Sequence, residues 1–186
     1  MRSKINEKKQ WMRSSKIGAK TIAVLTSVVA AVVLPQLAHL TGAALGVGSS
    51  VGEMFLPMQL PVLFVGAFMG PVAGLLTGVL SPLVSHVLTG MPVSVMLPYL
   101  MIELGVYGLT AGWMKNKLCK PFVRIIAAQL AGRAARTLAM IGAFYLIGSS
   151  LPLHASWTYI TAGVWGIASQ LLILPVLLSL VEKKRG

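Results

Sequence analysis

The run YLMIELGVYGL, residues 99–109, places a glutamate, Glu103, inside the uncharged and mostly apolar stretch 93–114. That stretch is long enough to cross a membrane. A carboxylate at such depth is costly unless it meets a partner or a wet cavity. Its chemistry there is that of an acceptor. It can take hydrogen bonds from ligand N–H or O–H groups, or it can neutralise a cation. The cations on offer are Arg133 and Arg136 in RIIAAQLAGRAARTLAMIG, three residues apart and therefore on one helical face. Counted at the helical rise, Glu103 stands about 16 Å from residue 114 and Arg136 about 15 Å from residue 126, so on consecutive antiparallel spans the two are level. Two roles follow. Glu103 and Arg136 can form an ion pair that fixes helix packing, or Glu103 can contact a ligand while an arginine takes a ligand carboxylate bidentately. A pair at the base of a pocket can do both.

Other candidate ligand contacts are Tyr99 and Tyr107 in the same run, His86 before VLTGMP, and His154 in LPLHASW with Trp157 just after it. Aromatic rings beside polar groups suit a flat ring ligand. Each histidine stands alone, which is weak ground for a metal ligand, and neither a metal nor a cofactor is expected. The segment TGAALGVGSSVGEMF, rich in Gly and Ser, is a candidate gate, with Glu53 near the surface. Enzyme chemistry finds no support. Aspartate is absent, and neither a Gly-x-Ser-x-Gly elbow nor a His-Glu-x-x-His motif occurs. Nothing orients a Ser81/His86 pair as nucleophile and base.

The elements that must position these residues are apolar. The chain of 186 residues is 56% hydrophobic and 11% charged, with mean hydropathy +0.81, the balance of an integral membrane protein. The net charge of +12 is concentrated. Seven basic residues fall in the first twenty positions, and the next is Lys115. That is a topology signal and not a nucleic-acid surface. Six apolar stretches, roughly 17–40, 55–69, 72–88, 93–114, 125–147 and 157–181, predict a compact all-α bundle of six transmembrane helices. The second and third meet at Gly70-Pro71, where proline favours a turn and hence a helical hairpin. Basic residues occupy the N-terminal arm, segment 115–124 and the tail, while the loops near 41–54, 89–94 and 149–156 have none. The positive-inside rule then makes both termini cytoplasmic. Trp113 and Trp157 with Tyr159 fit interfacial belts, and the single Cys119, between lysines, faces a reducing cytosol and permits no internal disulfide. The resulting layout is a basic arm at 1–16, a six-helix domain at 17–182 and a basic tail at 183–186.

Small residues recur every four positions in the first span, at Ala19, Ala23, Ser27 and Ala31, and in the hairpin, at Gly66, Gly70, Gly74 and Gly78. Such spacing lets helices approach closely, within this chain for the glycines and either internally or with a partner for the first span.

The segment LPMQLPVLFVGAFMGPVAGLLTGVLSPLVSHVLTGMP, continued by MIELGVYGLTAGWM, resembles the substrate-binding S components of energy-coupling factor (ECF) vitamin transporters. LPMQLPV, the Gly-Pro turn, LSPLVSHVLTGMP and IELGVYG carry the likeness through their order and spacing. The resemblance covers residues 56–114 strongly and implies several things. The fold would be a six-helix membrane bundle binding a vitamin or precursor near the outer face. The partners would be a transmembrane coupling protein and two cytosolic ATPases, in the plasma membrane of a prokaryote. The first-helix stripe would contact the coupling protein, with Ser27 departing from strict alanine. The chain has no Walker A pattern, so ATP hydrolysis must come from partners. A single glutamate and an aromatic rim favour a small heterocycle such as a pyridoxine-like or hydroxymethylpyrimidine-like compound. Pantothenate stays possible through the arginines, and folate and cobalamin rank lower. Two other functions stay open on the residues alone: a solitary proton-coupled carrier with Glu103 as the proton site, and a non-transport scaffold.

Overall fold

The computed structural model describes residues 2–46, 57–116, 120–147 and 164–183. Among them are six α-helices: α1 (Arg2–Ala44), α2 (Gln59–Met69), α3 (Pro71–Thr89), α4 (Leu97–Trp113), α5 (Pro121–Ile147) and α6 (Val164–Lys183), with a 3-10 turn at Met114–Asn116. No strand occurs among the described residues, so the all-helical class holds. The first helix extends back through the basic segment to Arg2 instead of starting at its apolar part.

Six spanning helices were expected. Two helical segments, Ile17–Ala44 and Pro71–Thr89, are each long and apolar enough to cross a membrane unaided. The 11-residue α2 extends only about 16 Å, short of the roughly 30 Å hydrocarbon layer. The predicted second stretch began at residue 55, whereas the helix starts at Gln59. In α5 the three arginines 124, 133 and 136 interrupt the apolar run.

The hairpin forms at the predicted turn. Gly70 has φ 109°, a left-handed value that a side chain would strain, and Pro71 opens α3, where its missing N–H costs nothing. At the other end of α3, Gly90 caps the helix with φ 72°. Within α3 the buried hydroxyls of Thr77 and Ser81 donate to the carbonyls of Ala73 and Thr77 at 2.8 and 2.6 Å, so they need no cross-helix partner.

Helix α4 is the centre of the bundle, packed against α2, α3 and α5. Helix α1 lies on α2 and α3, and α6 on α5 and α2. One buried cluster joins Val62, Leu63 and Ala67 of α2 to Leu104, Tyr107 and Ala111 of α4, Ile125 and Ala128 of α5, and Leu174 and Leu178 of α6. A second joins Val24 and Val28 of α1 to Val65 and Ala73 of the hairpin. The opposite face of α1 exposes Ile22, Leu25, Val29, Val33 and Leu37, the surface of a helix that faces lipid or another protein rather than water.

Candidate functional site

The fold gathers one set of polar side chains, including Gln59, Ser85 and Glu103, around a cavity. The C-terminal part of α1, the start of α2, the end of α3 and the start of α4 surround this cavity of about 300 Å³. Its walls are mainly apolar, from Pro35, Met58, Pro92, Met96 and Leu100 among others. Its polar groups are Gln36, His39, Gln59, Ser85, Glu103, Arg133 and Arg136. A mostly apolar concavity with a few convergent polar groups is the usual form of a small-molecule site, and this volume lies at the small end of the range of about 300–1,000 Å³.

Glu103 is almost completely buried and has two partners. Arg136 Nη1 lies 2.8 Å from Oε2, and the Tyr107 hydroxyl donates to Oε1 at 2.7 Å. The ion pair anticipated from helical depth is therefore present. The tyrosine sits one turn further along α4, which is why it can reach the same carboxylate. Its ring also seats α5, because a Cβ at Gly132 would overlap Tyr107 and the carbonyl of Glu103. The glycine brings the α5 backbone close enough for the neighbouring arginines to reach the cavity.

Tyr107→Phe should therefore cost about 1.5–3 kcal/mol of stability, the worth of a hydrogen bond to a charged group. Thermal unfolding in detergent measures this, and a melting point equal to the wild type would show that the hydroxyl contributes nothing.

Arg133 also lines the cavity, but differently. Its buried Nε and Nη2 have no hydrogen-bond partner among the described residues. The same holds for Oε1 of Gln59, a residue 3% exposed. Gln59 was not among the sequence candidates, although it stands in LPMQLPV as the one amide in an apolar segment. That isolation was the available signal. Ser85, Gln36 and His39 were also missed as cavity residues.

Of the candidates from sequence, Glu103, Arg133 and Arg136 come together at the cavity. Tyr99 and Tyr107 are buried but do not line it. His86 is not a lining residue either. Its Nδ1 lies 2.7 Å from the carbonyl oxygen of Pro92, fastening the α3–α4 connection whose residues Met91, Pro92 and Val93 form part of the cavity wall. His154 and Trp157, like Glu53, lie outside the described residues. In the small-residue stripe of α1, Ala19 is exposed, Ala23 and Ser27 are half-buried, and Ala31 is fully buried within this chain. No group of three or more His, Cys, Asp or Glu placed to hold a metal occurs among the described residues.

Comparison with curated proteins and with solved structures returns no match. The family model for the ECF transporter, substrate-specific component, matches residues 20–178. That span takes in the helices that line the cavity, from Pro35 to Arg136, and most of the chain. The protein thus belongs to the substrate-specific components of ECF transporters, membrane transport subunits that bind substrate.

Proposed function

We propose that this chain captures a water-soluble vitamin or vitamin precursor in the cavity between α1, α2, α3, α4 and α5 and passes it inward. A transmembrane coupling protein and two cytosolic ATPases would supply the energy. The observation that carries this reading is the cavity itself. It is compact, mainly apolar and floored by charged groups, and its lining residues come from the part of the chain that the family model matches. The cavity is lined by the C-terminal part of α1, far along that helix from its basic start. With the positive-inside rule, both termini are cytoplasmic and the cavity is on the outer side. Six passes are part of this proposal, with the shorter helices spanning as members of the bundle.

Uptake into proteoliposomes tests the mechanism. Transport that needs the coupling protein and ATP supports it. Transport driven by a pH gradient in the chain alone would instead make it a proton-coupled carrier, and a protein that binds no small molecule would be a scaffold.

The accessible part of the α1 stripe, Ala19, Ala23 and Ser27, is the proposed docking line for the coupling protein, while Ala31 packs internally. Ala19→Trp should abolish ATP-dependent uptake and leave ligand binding by the isolated chain within about twofold, because a bulky ring blocks close helix approach at a position exposed in the free protein. Loss of binding in that variant would place the stripe in the protein's own packing instead.

A further inference from the structure

The cavity has an unbalanced charge. The lining contains two arginines and one glutamate. Glu103 is taken by Arg136 and Tyr107, which leaves the charge of Arg133 without an acidic partner among the described residues. The whole chain has only three other acids, Glu7, Glu53 and Glu182. Glu7 precedes the lining residue Pro35 by 28 positions on α1, about 42 Å along the helix. Glu182 is next to the last residue of α6, a helix with no residue in the lining. Glu53 lies outside the described residues.

A guanidinium in a mainly apolar cavity is tolerated when an anion or a fixed acceptor meets it. Two of its nitrogens are buried and unmatched, and a planar fork of donors is matched best by a carboxylate. The unpartnered Oε1 of Gln59 in the same wall calls for a donor. We infer that the substrate is a compact monoanion. Its carboxylate is held by Arg133, and a hydroxyl or amide N–H on the same molecule donates to Gln59. One positive charge asks for one negative charge, so the site favours a monocarboxylate over a neutral heterocycle or a polyanion. The volume of about 300 Å³ suits a compact ligand. This inference rests on the transport reading above, and it puts a carboxylate-bearing compound ahead of the pyridoxine-like or hydroxymethylpyrimidine-like heterocycle that the sequence favoured.

The test uses matched pairs differing only at the carboxylate: nicotinate and nicotinamide, pantothenate and panthenol, biotin and biotinamide. Ligand extracted from the full-length protein purified in detergent is identified by mass spectrometry, and the six compounds are titrated against ligand-free protein. The expected result is an acid in the extract, or an acid among the six that binds at least tenfold more tightly than its neutral partner. Arg133→Gln should weaken that binding about ten- to hundredfold, the loss expected for charge-assisted hydrogen bonds. Arg133→Lys, which keeps the charge and loses the fork, should recover only part. The ligand-free Arg133→Gln protein should melt no lower than the wild type, a readout that a merely structural arginine would fail. A neutral or cationic compound in the extract, or equal binding of acid and neutral partner, overturns the inference and leaves the transport reading in place. No bound compound and no binding by any of the six would overturn both.

Discussion

Replacing Glu103 with glutamine is expected to cost the folded protein about 3 kcal/mol, the lower end of the range for removing one member of a buried ion pair. The side chains of Arg136 and Glu103 are 12% and 2% exposed, so water screens the attraction little. The glutamine amide still offers an oxygen to the Tyr107 hydroxyl, which holds the loss to the lower end. The larger part of the loss is the charge left on Arg136, not the attraction itself. The double change Glu103→Gln with Arg136→Gln should therefore recover part of it, and the two single effects should not add. Thermal unfolding of the three variants in detergent provides the measurement. A Glu103→Gln protein that melts with the wild type would show that the pair is not what holds α5 to α4. Ligand affinity measured on the same proteins separates packing from recognition, since Glu103 also lines the cavity.

Gly74→Ala and Gly108→Ala should be at least as damaging, costing about 3 kcal/mol or more, the upper end for overpacking. A Cβ at Gly74 would overlap the carbonyl of Gly108, and one at Gly108 would overlap the carbonyl of Gly74. A Cβ at Gly66 would meet Gly108 as well, so both arms of the hairpin close on one point of α4. The atoms in the way are backbone and cannot swing aside as a side chain can. The control is Gly142→Ala in α5, where a Cβ would meet nothing within 4 Å. That change should be neutral or stabilising by up to about 1 kcal/mol, the intrinsic preference of a helix for alanine. If all three variants melt alike, the glycine seam is not what limits the approach of these helices.

Much of the architecture was legible in the chain. The apolar stretches gave the helices, and Gly70-Pro71 gave the hairpin, because a positive φ and a missing N–H are local constraints. The spacing of Gly66, Gly70, Gly74 and Gly78 announced a close-packed face; Gly66, Gly74 and Gly78 do meet the α4 backbone, whereas Gly70 serves the turn and a Cβ there would meet nothing within 4 Å. Helix boundaries were less legible. Apolar composition does not reveal where a helix stops, so α2 came out shorter than its stretch and α1 longer.

For the site, helical rise and period fixed the depth of Glu103 and Arg136 and the shared face of Arg133 and Arg136, since both follow from position along one helix. They also named Arg136 as the partner of Glu103, but they could not say that Arg133 would be left unmatched and facing a cavity. That depends on how α5 is turned and how closely it approaches α4, and Gly132 against Tyr107 sets both. The same limit explains Tyr107, which turned out to hold Glu103, and His86, which turned out to hold a connection. It explains Gln59 too, which a single segment shows only as a polar residue in an apolar run. The sequence determined an all-helical chain with buried charges at known depths. The tertiary structure alone decided which charge stays unmatched and where the cavity lies, because both depend on side chains from different helices meeting, and the packing of glycine-lined faces brings those helices together.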